Sequence, residues 1–226
     1  MGEALLQSLP FAIGLILSPF PLIAMVMILS GPRRAVNAPV FALASVLGLL
    51  ALGAIVLIVS AGYPADDAGD PAAWVSWSRL VLGLALLVIG VGKLRARPWR
   101  GEPAEPPRWI RTIDTLTWAR AAGLGVVVSV LNPKNLVLAL AGAGAIAQVD
   151  LATGPELVAL VVFVALGTLG ITVPLGLSLA LGERGVALLR GPKEWMERNN
   201  ALIVVLLVLI FGVVLTWNGI AGLGVA

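Results

Sequence analysis

Leu131-Asn132-Pro133-Lys134-Asn135-Leu136 interrupts the apolar run Arg120–Ala147, and Leu17-Ser18-Pro19-Phe20-Pro21-Leu22 interrupts the run Ala4–Leu29. The two interruptions are offset by 114 residues, about half of the 226-residue chain. Shifting one onto the other places Ser18 on Asn132, Pro19 on Pro133 and Leu22 on Leu136. Proline removes a backbone donor and crowds the preceding turn, so each run is expected to be a helix broken in mid-span. Irregular backbone at that depth is tolerated only where it is buried in protein or lines a cavity.

Around these breaks the chain reads as membrane protein. It is 59% hydrophobic and 12% charged, with a mean hydropathy of +1.02. Soluble domains carry about a quarter charged residues. Six runs approach the roughly 20 apolar residues that a spanning helix needs. They are Ala4–Leu29, Asn37–Ala61, Trp77–Leu94, Arg120–Ala147, Pro155–Leu181 and Ala201–Gly222. The runs are continuous rather than alternating, which favours helices over barrel strands. The first run follows the acidic Glu3 directly and is too long for a signal-peptide core, so it reads as a span.

The breaks open the first and fourth runs, so the chain divides into two halves of three spans. The expected organisation is a first repeat at 1–97, a cytoplasmic linker at 98–117 rich in Pro, Arg and Glu, and a second repeat at 118–226. A repeat with an odd number of crossings must be inverted relative to its copy. The expected fold is therefore an all-α integral membrane protein of two inverted three-helix repeats with broken first and fourth helices, a recurrent secondary-transporter plan.

Basic residues set the orientation. Thirteen of the fifteen Lys and Arg residues fall in the loops at 30–36, 93–120 and 182–200, which share one side if six segments cross. The opposite side has Asp66, Asp67, Asp70, Asp150 and Glu156, with only Arg79 nearby. The positive-inside rule then puts both termini outside the cytoplasm of a bacterial plasma membrane. The tryptophans at 74, 77, 99, 109, 118, 195 and 217 fall at or near run ends, as in an interfacial aromatic belt. The stretch 183–198 reads either as an interfacial helix on anionic headgroups or as a solvated loop.

The chain has no Cys and no His. Disulfides, thiolate metal sites, thiol redox chemistry and the commonest general base are thereby removed. No nucleophile–base pair stands out, so no enzyme activity and no cofactor is expected. The pI near 10 reflects loop topology rather than nucleic-acid binding.

Lys134 sharpens the site. A lysine at a helix centre costs about 2.5–3.5 kcal/mol on insertion scales, so it faces either a cavity or, where the broken helix is shallow, the interface. The candidate substrate-binding set is Ser18, Pro19, Pro21, Asn132, Pro133, Lys134 and Asn135. Thr168 and Thr172 of the fifth run join it, with Pro174 read as a second kink, or else all three serve helix–helix packing. Gly48, Gly53, Gly83, Gly90, Gly142, Gly144, Gly167 and Gly170 read as points of close helix approach. No carboxylate lies deep in a run, so a proton relay has no evident carrier.

With the repeat and Leu131–Asn135 in view, the chain resembles the LysE superfamily of six-span exporters, which carry Asn-Pro-Lys at the start of the second half. The longer run LNPKNLVLALAGAGAIA (Leu131–Ala147) resembles the GAP or Sap-like family of glycopeptidolipid- or sulfolipid-addressing proteins, associated with moving envelope lipids to the surface. The resemblance implies roles in the site for Asn132, Pro133 and Lys134. Pro19 and Pro21 stand where amino-acid exporters of the superfamily have Pro-Gly-Pro, and Phe20 replaces the glycine. The related thiol electron carriers need cysteines that this chain lacks.

Three functions remain open: export of an envelope lipid or glycolipid, export of amino acids or other small solutes, and a non-transporting scaffold that recruits an envelope-synthesis enzyme through the basic 95–117 loop. The expected partners are membrane lipids, the cargo, envelope-synthesis or export proteins, and a second copy of the chain in a homo-oligomer.

Overall fold

The computed structural model describes residues 1–61, 73–95, 116–149 and 151–224. The Asp66–Asp67–Asp70 loop, most of the 98–117 linker with Trp99 and Trp109, and Asp150 lie outside the described residues, as does the side chain of Trp74.

The described residues are helical nearly throughout. Their elements are α1 (Gly2–Ile16), α2 (Pro19–Ser30), α3 (Arg34–Ala61), α4 (Ala73–Arg95), α5 (Trp118–Ser129), α6 (Pro133–Ala147), α7 (Thr153–Gly167), α8 (Leu169–Leu181), α9 (Glu183–Leu188) and α10 (Arg190–Ala221). Three apolar stretches are long enough to cross a membrane as single helices: α3, Ser76–Arg95 of α4 and Leu202–Ala221 of α10. Three further helix pairs qualify only together, because each bends sharply at a short break. α1 and α2 meet at 52°, α5 and α6 at 68°, and α7 and α8 at 66°. If each pair is one span, the chain crosses six times.

The first and fourth runs break where the prolines stand, but the prolines do not sit inside a helix there. Pro19 and Pro133 open α2 and α6 in the first helical turn. Their missing N–H costs nothing at that position, and their fixed φ suits a helix start. The fifth run differs from its sequence reading. Its break falls at Thr168, whereas Pro174 lies inside α8. The sixth run starts earlier as a helix than as a span. α10 begins at Arg190, and its 32 residues reach about 48 Å, well beyond a hydrocarbon core of roughly 30 Å.

The 183–198 stretch is helical, formed by α9 and the first turns of α10. Val186 and Leu189 are buried against Ile28, Leu29 and Phe41, while Leu188 and Trp195 are exposed.

Packing joins the two halves throughout. α4 runs antiparallel along α10, with Gly83 against Thr216, Gly90 against Leu209 and Gly219 against Leu80. At Gly219 a Cβ would stand 2.6 Å from the Leu80 backbone nitrogen, so only glycine allows this approach. α3 lies on α5 and α6, and α1 lies on α6 and α7. Ser45 Oγ bonds the Phe41 carbonyl at 2.8 Å and meets the Gly125 carbonyl at 3.2 Å, where α5 comes closest to α3. Of the eight glycines read as approach points, seven have a neighbour within van der Waals distance of the place a Cβ would take, and Gly144 has none.

Two contacts fix which loops share an end. Arg34 pairs with Glu183 at 3.1 Å, and Asn37 Nδ2 donates to the Leu116 carbonyl at 2.8 Å. The starts of α3, α5 and α9 are thus together, as alternating crossings require. At the opposite end Arg79 Nη2 donates to Gln148 Oε1 at 2.7 Å. Trp118 and Trp195 lie toward the first end and Trp77 and Trp217 toward the second. All four are more than half exposed, which suits indoles placed at two water–lipid boundaries. The outer surface between them is apolar: Ile58, Val88 and Leu179 are each 73% exposed. A water-soluble chain does not present such a surface all round.

Two apolar clusters fill the interior. One gathers residues of α1, α3, α6, α7 and α10 around Leu138, Ile146 and Phe163. The other gathers α2, the start of α3 and α9 around Met25, Phe41 and Val186.

Candidate functional site

At each break the helix ladder lapses for about one turn, which frees backbone groups that the bilayer cannot satisfy. At the first, the Ser18 N–H turns to the Leu15 carbonyl at 3.0 Å instead of the Gly14 carbonyl four residues back. Lys134, in the first turn of α6, supplies the missing donor. Its Nζ lies 3.1 Å from the Gly14 oxygen, and the side chain is 6% exposed. An amine at the C-terminal end of a helix can donate to a carbonyl the ladder has left open, and the helix dipole favours positive charge there. One side chain thus ties the fourth span's break to the first span's.

The second break is capped from within. The Lys134 N–H donates to Asn132 Oδ1 at 3.2 Å, and Asn135 Nδ2 donates to the Val128 carbonyl at 3.1 Å. That second bond orients the Asn135 amide and leaves its Oδ1 buried without a partner. At the third break Thr168 Oγ1 bonds the Val164 carbonyl at 2.8 Å, and Thr172 Oγ1 donates to the Thr168 carbonyl at 3.2 Å.

The three breaks meet at one small cavity. α1 and α2 contribute Leu15, Ile16, Ser18 and Pro21; α5 and α6 contribute Ser129 and Asn135; α7 and α8 contribute Gly167, Thr168, Gly170 and Ile171. Leu49 of α3 closes it. The space admits about one water molecule, near 10 Å³. Two glycines make the junction tight. A methyl on Gly170 would stand 3.0 Å from the Ile16 carbonyl oxygen, and one on Gly167 would stand 3.3 Å from Leu15 Cβ.

Three of the residues lining this cavity carry a buried side-chain oxygen with no hydrogen-bond partner: Ser18 Oγ, Ser129 Oγ and Asn135 Oδ1. Their residues are 1%, 2% and 1% exposed. Leaving a buried polar atom unpaired costs about 1–3 kcal/mol. Three such atoms belong to residues of this one cavity.

Of the residues singled out in the sequence, Ser18, Pro21, Asn135 and Thr168 line the cavity. Pro19 and Pro133 start half-helices, Asn132 caps α6, Thr172 braces the third break, and Lys134 bonds beside the cavity rather than into it. Ser129 is the polar lining residue that the sequence reading misses. Serine in an apolar helix commonly bonds its own preceding turn, as Ser30 and Ser45 do here. Its position four residues before Pro133 is the available signal.

Among curated proteins and among solved structures no significant match is found. A family profile described as Sap, sulfolipid-1-addressing protein, matches residues 9–221, and on that match over nearly its whole length the chain belongs to this family.

Proposed function

We propose that this protein is an export component that moves an envelope lipid or glycolipid across or out of the bacterial plasma membrane by alternating access at the junction of the broken spans. It acts as a carrier and not as an enzyme. The observation that carries this reading is the convergence of Ser18 Oγ, Ser129 Oγ and Asn135 Oδ1, all buried and unpartnered, where three interrupted helices meet. The family's association with sulfolipid addressing supports a lipid cargo.

The two halves act as inverted repeats in this reading. Their neighbour relations support it: α3 of the first half lies on α5 and α6 of the second, and α7 of the second lies on α1 of the first. α4 and α10, the third span of each half, pack against each other as a two-fold would require. The basic end faces the cytoplasm and the termini face outward.

A second reading, export of a small polar solute on the same scaffold, is favoured by one observation. The cavity is small and carries several polar residues, whereas a lipid needs an apolar lateral opening. Comparing a deletion strain with its wild type separates the two. Surface lipid is expected to fall in the deletion strain, with the same lipid accumulating inside. Re-expressed wild-type protein restores it, and an Asn135→Leu variant restores less than about a tenth, a loss of 1.4 kcal/mol or more in the export step. Unchanged surface lipids with altered amino-acid efflux would establish the second reading instead.

A further inference from the structure

The cavity at the three breaks is too small for any headgroup in this conformation, and its chemistry points to a simpler occupant. Its three unpartnered side-chain atoms are all oxygen: two serine hydroxyls and the Asn135 amide oxygen. The amide's orientation is fixed by its own donation to Val128, so Oδ1 is an acceptor there. Backbone adds to the set. Proline has no N–H, so Pro133 and Pro174 cannot donate to the carbonyls of Ser129 and Gly170, four residues earlier, and both residues line the cavity. Neutral side-chain oxygens and carbonyls at the C-terminal end of a half-helix, as at Ser129 of α5, are the ligand type that suits a dehydrated monovalent cation.

Divalent ions are disfavoured by the same set. Calcium and magnesium sites rely on carboxylates, and the described residues contain no group of three His, Cys, Asp or Glu. None of the cavity's side chains titrates near neutral pH, so the site does not carry a proton by itself. Lys134 is the nearby basic group; its Nζ is engaged by the Gly14 carbonyl, and neither residue lines the cavity.

We propose that Ser18, Ser129, Asn135 and the adjoining backbone carbonyls hold one dehydrated sodium ion, which couples closure of the three broken spans to transport. This rests on the transport reading above and adds the coupling ion to it. Binding at the junction of α1/α2, α5/α6 and α7/α8 would stabilise the closed arrangement, because one ion then bridges all three breaks.

The purified full-length protein in detergent, moved from choline chloride to sodium chloride at equal ionic strength, is expected to gain roughly 5 °C in melting temperature at saturation. Potassium chloride should give a smaller gain. Ser18→Ala and Ser129→Ala each remove an unpaired buried hydroxyl, so in choline their melting temperatures should match or exceed wild type. Both should lose most of the sodium response. No sodium shift, a potassium shift as large as sodium's, or an undiminished shift in both alanine variants overturns the proposal. If sodium has no effect while the deletion strain still loses its surface lipid, the ion falls and the transport reading stands.

Discussion

Lys134→Met is expected to reduce surface delivery of the lipid at least about tenfold while leaving the protein folded and inserted. The stability terms partly cancel. The variant loses a charge-assisted hydrogen bond of about 1.5–3 kcal/mol and leaves the Gly14 carbonyl unpaired. It also relieves the cost of a buried ammonium, about 2.5–3.5 kcal/mol at mid-span. The net change centres on a loss of about 1 kcal/mol and reaches about 3.5 kcal/mol at most. Function has no such offset, because the lysine links the break of the fourth span to the open end of α1. Removing it lets the two half-helices move independently. Complementation of the deletion strain, read as extracted surface lipid, checks the first part, and a melting curve in detergent checks the second. Full surface lipid with Lys134→Met would remove the lysine from the machinery.

Gly219→Leu is expected to destabilise the α4–α10 seam strongly. α4 and α10 are held at glycine distance along their length, and at residue 219 the neighbour is the Leu80 backbone, which cannot rotate aside as a side chain can. A leucine there must push the helices apart. Overpacking of this kind costs about 1–3 kcal/mol, and the loss extends to the contacts at Gly83 and Gly212 on the same seam. A melting temperature lower by roughly 5–10 °C is the expected result. Gly144→Ala, where a methyl meets open space, serves as the control and should change little. Equal melting temperatures for the two variants would mean that α4 and α10 do not pack as described.

Much of the architecture is legible in the sequence because the bilayer imposes it. A run of about twenty apolar residues has few alternatives to a spanning helix, and the six runs recur as three single helices and three bent pairs. The breaks at Ser18 and Asn132 are legible because proline leaves a local chemical mark. The third is not. Pro174 draws attention six residues away from the actual break, while Gly167-Thr168-Leu169-Gly170 carries no mark beyond two glycines and a threonine that bonds its own preceding turn. The site is legible in part for the same reason. Ser18 and Asn135 flank prolines and reach the cavity, whereas Ser129 resembles any helix serine until its lack of a partner is seen. The partner of Lys134 cannot be read at all. It is a backbone oxygen 120 residues earlier, available only because Ser18 bonds elsewhere. Side-chain patterns locate a polar residue in a membrane, but not the carbonyl that a break elsewhere has released.

The meeting of the three breaks is tested most directly by a disulfide, and the chain's lack of native cysteine gives a clean background. Leu15 lies in the last turn of α1 and Gly167 ends α7, and a Cβ on Gly167 lies 3.3 Å from Leu15 Cβ. Disulfides form at Cβ separations of about 3.5–4.5 Å. The double variant Leu15→Cys/Gly167→Cys, expressed in membranes and mildly oxidised, should cross-link within the monomer in high yield. After cleavage in the 98–117 linker, the two fragments should then migrate together until reduced. If they separate without reductant while both thiols remain free, the broken spans do not converge and the shared site does not exist.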